Sequence, residues 1–446
     1  MNTLKKIIIK HLTPSWALHT YHYLLALAGA CLYRFPSQQM AVIGITGTKG
    51  KTSTANFIHT TLNASGHKTG IISTANIKIG TEESLNKYHM TMPGRFTIHK
   101  LMRQMVNTGC THCVVETTSE GLKQYRHIGI AYDYAIFTNL TPEHLTSHGG
   151  SFEKYKETKG KLFKAVADRK TKIISGKTIP KTIVANADSD HASYFLNFEV
   201  DKKITYSTQN KGNVNASEIG TTTHGISFKA DNHQYTSPIL GTFNVENILP
   251  AIIVAQEEGG TPEQINVGLN NLKSIPGRME IIDVGQDFTV IVDYAHEKES
   301  MTRVLDTGRS IVGSTHKVIV LLGAEGGGRD KAKRPIMGAL ASQKADFVIV
   351  SNVDPYDDNP QEILEDIAKA STENGKTLNQ NLFVIADRRA GIVQALSLAN
   401  SGDLVLITGK GAEQSMIIGN QTIPWDDRVV VREELENQVN KLGERS

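Results

Sequence analysis

The sequence predicts an α/β chain made of two successive open, mostly parallel sheets, the first of them carrying a phosphate-binding loop. Three observations point there. Residues 41–54, AVIGITGTKGKTST, run from an apolar β-rich segment through a Gly/Thr turn into Gly50-Lys51-Thr52 at the head of a helix-length segment. Short β-rich runs then alternate with helix-length segments, the pattern of a doubly wound parallel sheet. In the last third the alternation starts afresh: FTVIVDYAH, KVIVLLGA, DFVIVSNVD, LFVIAD and LVLITGKG are five apolar strands ending in Gly, Asp or Asn, where open α/β sheets place ligands. The 446 residues suffice for two or three domains with cores of their own. The turn residues Pro276-Gly277-Arg278 mark a natural boundary, giving a short helical segment over 1–40, a central nucleotide-binding domain over 41–277 and a C-terminal domain over 278–446.

Residues 1–40 begin with Lys5, Lys6 and Lys10 and continue into YHYLLALAGACLY, an apolar run well short of the ~20 residues that a spanning helix needs. Its closeness to the nucleotide strand argues against a cleaved signal. A helix packed on the first domain is expected, and a peripheral contact with the inner membrane face through the lysines is the sharper reading. In the loop that follows, glycines let backbone N–H groups close around phosphate oxygens, the helix N-terminus adds positive charge, Lys51 neutralises the β/γ-phosphates and Thr52 offers a hydroxyl to Mg²⁺. The loop departs from the strict G-x-x-x-x-G-K-[ST] pattern at Ile45. Further strands are expected near 113–118 and 134–139, then a less regular stretch with short β-like runs over 172–240.

A net charge of +3, from 48 basic and 45 acidic residues, leaves no broad basic field, so nucleic acid is not an expected partner. Cys31, Cys110 and Cys113 are too few for a disulfide framework and suit a reducing cytoplasm; Cys110-Thr-His-Cys113 has the spacing of half a zinc site but no second pair. Behind the phosphate loop, Glu116 ends one strand and Asn139 the next, His144 and His148 follow in TNLTPEHLTSHGG, and Lys159 sits on the helix after them. Mg²⁺ prefers oxygen ligands and keeps some water, so Glu116 and Thr52 suit it, with His144 as a nitrogen ligand for a second ion. The clustering of strand-end residues behind one loop favours a site over isolated structural histidines.

In GITGTKGKTST, VVETTSEGL, FTNLTPEHLTSHGG, YKETKGKLF, GTFNVENILPA, PGRME, VDYAH, GGGRDKAKRP, DPYDDNP, GKGAE and WDDR, in that order, the chain resembles the Mur ligases, ATP-dependent amide-forming enzymes of peptidoglycan precursor synthesis. It is most similar to the MurE type, which adds the third amino acid to UDP-N-acetylmuramoyl-L-Ala-D-Glu. The resemblance implies a central ATPase domain and a Rossmann-like C-terminal domain that closes over it, a cytoplasmic, monomeric enzyme, and small-molecule substrates: ATP, an amino acid and a muramoyl-dipeptide precursor.

The resemblance also implies residue roles. Gly47, Thr48, Gly50, Lys51, Thr52 and Ser53 would cradle the phosphates of ATP. Glu116, His144, Thr52 and a carbamylated Lys159 would serve Mg²⁺, the carbamate supplying an anionic oxygen. Asn247 and Arg278 would meet adenine and phosphate, and Asp293, Tyr294 and His296 would approach the nucleotide from the C-terminal domain. Lys51, Glu116, His144, Lys159 and His296 form the catalytic set. Thr91, Thr118, Ser119, Arg126, Arg334, Asp354, Tyr356, Gly409 and Glu413 are the expected substrate contacts, with Arg334 at the α-carboxylate.

Three departures from the MurE pattern stand out. Only about forty residues precede the phosphate loop, too few for the family's uridine-gripping domain. The segment that reads Asp-Asn-Pro-Arg in enzymes selecting meso-diaminopimelate reads Val353-Asp354-Pro355-Tyr356, and tyrosine cannot make arginine's bidentate ion pair. Gly409-Lys410-Gly411-Ala412-Glu413 keeps the glutamate that meets a side-chain amine and lacks the usual histidine. Two alternatives remain open: a ligase-fold subunit acting with a partner on lipid-linked muropeptide, and a nucleotide-binding protein without ligase activity.

Overall fold

The computed structural model describes residues 15–88, 90–143, 145–222 and 225–443. They fall into two compact units: one comprises the chain to Glu218 with 228–235 and 245–271, the other 219–227, 236–244 and the chain from Leu272 onward.

The first unit is organised on a long sheet. Its strands are β1 (Ala41–Thr46), β2 (Thr69–Ile72), β3 (Asn76–Ile79), β4 (Glu82–Leu85), β5 (His112–Glu116), β6 (Tyr134–Phe137), β9 (Thr182–Asn186) and β10 (Lys202–Ser207). β7 (Lys172–Ile174) and β8 (Lys177–Ile179) form a separate hairpin, and β11 (Val214–Thr222), β12 (Gly225–Ala230) and β13 (His233–Ser237) continue the sheet beyond β10. The order β10-β9-β6-β1-β5-β2 is parallel throughout, and β3 and β4 add an antiparallel edge. β1 is buried along its whole length, as a strand covered on both faces requires. Its neighbours β5 and β6 bring the loops after all three strands to one end of the sheet, where the phosphate loop opens the helix Lys51–Ala64. The strands expected near 113–118 and 134–139 are β5 and β6; the sequence reading omitted β2, β3 and β4.

The helix Ser15–Leu32, here α1, packs through the small residues Ala26 and Ala30, both fully buried. Arg103 ties down its end by donating to the carbonyls of Tyr33 and Arg34 at 3.0 Å each. Yet Leu24, Leu27 and Leu32 remain exposed, so the apolar run is divided between a packed side and an open one. Lys5, Lys6 and Lys10 lie outside the described residues.

The second unit holds a six-stranded sheet of order β14-β15-β19-β16-β17-β18, built from Glu280–Ile281, Thr289–Asp293, Leu404–Thr408, Val318–Leu322, Phe347–Val350 and Leu382–Val384 in that order. All pairs are parallel except the short β14 against β15. The five apolar runs of the last third are these five parallel strands, and the hydrophobic clusters on the two faces are separate. A hairpin of β20 (Ser415–Ile418) and β21 (Gln421–Pro424) follows.

WDDR closes this unit. Asp427, fully buried, accepts from Nε and Nη2 of Arg388 at 2.7 Å each and from the Trp425 indole at 2.8 Å, while Arg388 also donates to the Thr408 carbonyl at the end of β19. Removing the carboxylate leaves the guanidinium charged and buried. Asp427→Ala is therefore expected to destabilise the protein by about 3–5 kcal/mol. Urea unfolding followed by Trp425 fluorescence checks this, and a loss below about 1 kcal/mol would show that the pair is dispensable.

Candidate active site

Two glycines shape the phosphate loop. Gly47 has φ 151° and a Cβ there would stand 1.9 Å from Thr138 Oγ1; Gly50, the N-cap at φ 82°, would place one 2.1 Å from Asn247 Oδ1. Side chains at either position are excluded by conformation and by space. The loop is pinned from the strand-end after β6: Thr48 N donates to the Asn139 carbonyl at 2.9 Å, Lys49 N to Asn139 Oδ1 at 2.8 Å, and Thr138 Oγ1 to the Lys49 carbonyl at 2.7 Å. Thr48 Oγ1 also lies 3.3 Å from the Tyr155 hydroxyl. Ser53 and Asn247 are buried beside it.

Lys51 and Lys159 converge on this loop. The Lys51 ammonium donates to the carbonyls of Gly47 at 3.0 Å and Thr48 at 2.8 Å. Lys159, 1% exposed, donates to the same Gly47 carbonyl at 2.7 Å and lies 4.5 Å from the Tyr155 ring centroid. Burial, and after it the charge of Lys51, hold the Lys159 ammonium well below its ordinary range, against the pull of Glu143 and Glu116. A buried lysine that loses its proton this readily is a nucleophilic amine.

Glu116, at the end of β5 and 2% exposed, accepts from Thr52 Oγ1 at 2.9 Å and from Thr74 N at 2.8 Å. Thr74 Oγ1 lies 2.8 Å from Thr91 Oγ1, and the Arg126 guanidinium donates to the carbonyl of neighbouring Met92. Thr118 caps the short helix Ser119–Lys123, and Ser119 Oγ lies 3.2 Å from His148 Nε2. These residues therefore form one line from the phosphate loop outward. Thr74 was missed by sequence reasoning, because only the fold brings its amide to Glu116 and its hydroxyl to Thr91. Thr52 and Glu116 offer two oxygens side by side, a donor set that fits Mg²⁺, which keeps several waters and binds phosphate oxygens. His144 lies outside the described residues.

In the C-terminal unit the predicted residues gather at the carboxyl ends of β15, β17 and β19. Asp293 holds its own loop, accepting from the amides of Met279 at 2.8 Å and Ala295 at 2.7 Å. The Arg278 guanidinium sits 4.4 Å from the Tyr294 ring centroid, and His296 Nδ1 lies 2.6 Å from the Tyr294 carbonyl. Tyr294 donates to Glu413 at 3.0 Å. Fully buried Lys410, which sequence reasoning passed over, bridges Glu413 at 2.6 Å and Asp354 at 2.8 Å. Burial alone would depress Lys410, but Glu413 and then Asp354 outweigh it and hold its pKa above the ordinary value. Gly409 beside it has φ 110°.

Tyr356 occupies the left-handed region at φ 52° near Arg329, which is paired with Glu325 at 3.4 Å. Arg334 is 1% exposed and is held by Asp366 at 3.0 Å and Asp358 at 3.3 Å. Its guanidinium is thus engaged within its own unit, by carboxylates whose proximity the linear sequence does not show.

Residues 45–255 match the model of the Mur ligase middle domain and residues 277–411 that of the Mur ligase, glutamate ligase domain. The chain is 36% identical over 413 residues to the UDP-N-acetylmuramoyl-L-alanyl-D-glutamate--2,6-diaminopimelate ligase of Geobacillus kaustophilus (strain HTA426), covering 92% of this chain and 81% of that one. It is 35% identical over 424 residues to the UDP-N-acetylmuramyl-tripeptide synthetase of Roseiflexus sp. (strain RS-1), with the same coverage. A solved UDP-N-acetylmuramoyl-L-alanyl-D-glutamate--2,6-diaminopimelate ligase superposes with a TM-score of 0.62 at 28% identity, over 93% of this chain and 83% of its own.

The depressed Lys159 has a consequence for stability. A folded amine that regains its proton on unfolding makes the unfolded state bind more protons below the ordinary lysine value of 10.5. Its contribution is then fully present above that pH and is lost as the pH falls toward the folded pKa. Lys159→Met removes the dependence, so as the pH falls below the ordinary lysine value the stability difference is expected to move in favour of the variant, by at most ~1.4 kcal/mol per pH unit. Urea midpoints in bicarbonate-free buffer measure it; a difference that does not change with pH would contradict the assignment.

Proposed function

The chain belongs to the Mur ligase family, of the MurE type, and from that premise we propose how its residues form an amide bond between a muramoyl dipeptide and the third amino acid. The observation that carries the reading is the line Thr52–Glu116–Thr74–Thr91, which joins the phosphate loop to the residues assigned to the acceptor. Gly47, Thr48, Gly50, Lys51, Thr52 and Ser53 hold the triphosphate, and Asn247, Arg278, Asp293 and Tyr294 are assigned to the nucleotide. An acceptor carboxylate oxygen attacks the γ-phosphorus, the bond to the β,γ-bridging oxygen breaks, and ADP leaves. Lys51 and the loop amides stabilise charge on the group in transfer. The amino acid's neutral amine then attacks the carbonyl carbon of the acyl phosphate, and phosphate departs with the C–O electron pair as the nitrogen loses its proton.

Thr52, Glu116 and His144 would hold Mg²⁺, which supplies charge neutralisation at the phosphates. Lys159, buried and holding its proton less tightly than an ordinary lysine, is suited to take up CO₂ as a carbamate, giving a further anionic oxygen beside Glu116. Thr118, Ser119 and Arg126 are assigned to the acceptor, Asp354, Tyr356, Gly409 and Glu413 to the incoming amino acid, and His296 to the reacting groups. Arg334 is retained as a substrate residue only through its ordering of the segment bearing Asp358. The enzyme is read as cytoplasmic and monomeric. The exposed leucines of α1 support peripheral contact of residues 1–40 with an anionic membrane surface; among the described residues no helix is long and apolar enough to cross one.

Phosphate release that requires both acceptor and amino acid tests the reading. Lys51→Ala is expected to reduce it by several orders of magnitude, and added bicarbonate to raise the activity of the parent but not of Lys159→Ala. Phosphate release by Lys51→Ala at the parent's rate would remove the phosphate-loop assignment.

The amino acid is expected to be a diamino acid with one carboxylate, such as lysine or ornithine. Lys410 neutralises only one of the two carboxylates it bridges, so the Asp354–Glu413 pair retains a negative charge for a side-chain ammonium. A second substrate carboxylate would have to be desolvated against that pair, while Arg329 is paired with Glu325, and Arg334 with Asp358 and Asp366. Direct competition between lysine and meso-diaminopimelate, read as a kcat/KM ratio, is expected to favour lysine; a tenfold preference for meso-diaminopimelate would overturn this.

A further inference from the structure

Beyond Arg126 the line of polar groups continues into a cluster that the reaction chemistry does not use. Tyr125, with φ 59°, is held in the left-handed region on the turn after the helix Ser119–Lys123. Two side chains of α1 lie against it: the His19 ring at 5.7 Å and the Tyr23 ring at 6.4 Å between centroids. The Lys161 ammonium stands 5.5 Å from the same ring centroid. Next to Tyr125, the Arg126 side chain is 9% exposed; one arm donates to the Met92 carbonyl and another to Gln124 Oε1 at 2.7 Å, while its Nε has no partner. Arg95 donates to the Gln124 carbonyl, and His22, electrostatically coupled to Arg95, His19 and Arg126, leaves a buried Nδ1 without a partner.

This concentration of cations is not balanced locally. Glu120 is the acid that Arg126 senses, and it accepts from Gln124. No Asp or Glu precedes Glu82 in the chain, so α1 brings no negative charge of its own. Two arginines, one of them with an unpartnered Nε, a lysine and two partly exposed tyrosines form a surface for phosphate oxygens with a flat group attached.

We propose that His19, Tyr23, Arg95, Tyr125, Arg126 and Lys161 form a subsite for the diphosphate of the acceptor's carrier, with the tyrosines as a stacking surface for a base. The assignment rests on the ligase reading: the acceptor's reacting carboxylate belongs at the Thr52–Glu116 end of the line, so its carrier belongs at the other end. A diphosphate is common to a nucleotide carrier and a lipid carrier, and stacking distinguishes them.

Acceptor kinetics on the full chain test the proposal, with uridine diphosphate and inorganic pyrophosphate as competing probes. The acceptor KM is expected to rise at least tenfold in Tyr23→Ala and in Lys161→Ala, with Tyr23→Phe restoring it, and both probes are expected to compete with the acceptor. Uridine diphosphate binding tenfold tighter than pyrophosphate supports a nucleotide carrier; equal affinity supports recognition of the diphosphate alone, as in a lipid-linked acceptor. Acceptor KM within twofold of the parent in both variants, or no competition by either probe, would overturn the subsite. Displacement of pyrophosphate by phosphatidylglycerol vesicles would also overturn it, by making the patch a headgroup site. Equilibrium dialysis of uridine diphosphate against Lys51→Ala, with and without Tyr23→Ala, reads the subsite without turnover. Loss of binding on Tyr23→Ala there supports the subsite even if no acceptor is turned over, an outcome that would count against the ligase reading alone.

Discussion

Two lysines share one carbonyl oxygen, and the first unit is arranged around that fact. Gly47 O accepts from both Lys51 and Lys159, in a place that burial makes poor in screening. Two ammonium ions cannot both be comfortable there. Lys51 stays on the loop with a second carbonyl, whereas Lys159 is enclosed and gives up its proton more readily. The arrangement separates two chemical roles for one residue type: a cation for phosphate and a neutral amine for chemistry. Gly47 makes it possible, because its carbonyl can face both lysines only in a backbone conformation closed to a side chain.

The C-terminal unit solves the opposite problem. There the excess charge is negative, and one buried lysine serves two carboxylates. Lys410 orders the Asp354 segment against the Glu413 loop, while Tyr294 takes the remaining oxygen of Glu413. Glu413 itself is shifted upward by burial despite Lys410, so it gains from a further cation. The charge that a substrate ammonium would meet is therefore a residual of an internal ion cluster, and its strength depends on how completely Lys410 divides itself between its partners.

The parallel strands were legible in the sequence where burial on both faces gave a sustained apolar run, as in β1, β5, β6 and the five strands after residue 288, but not in β2, equally buried, whose TGII is too short to stand out. β3 and β4 were not, because NIKI and EESL alternate at a sheet edge and owe their conformation to antiparallel pairing. The phosphate loop was legible because its chemistry is local, with every ligand within six residues. Glu116 was read from its place at a strand end behind the loop, whereas the role of Lys159 came from the resemblance, since only the fold brings residues 52, 116 and 159 around one loop. Lys410 stood in a quoted motif and was passed over, because one of its two partners, Asp354, is 56 residues away and is brought to it only by the fold.

Charge in a motif is not by itself evidence of a ligand. Asp427 and Arg334 both belong to segments that look catalytic, and both are almost wholly buried; Asp427 is satisfied by an arginine and an indole, and the charge of Arg334 is met by two aspartates although its Nε has no partner. The residues of Tyr125–Arg126 present the contrary case: a guanidinium whose bonds go to a carbonyl and an amide oxygen in place of carboxylates, and a strained tyrosine. The charges of the first pair are neutralised within the protein, whereas Arg126 is held by neutral oxygens and keeps a desolvated Nε unsatisfied, a cost of about 1–3 kcal/mol that a bound anion would relieve. On physical grounds the second pattern, not the first, is where a charged ligand gains most by binding.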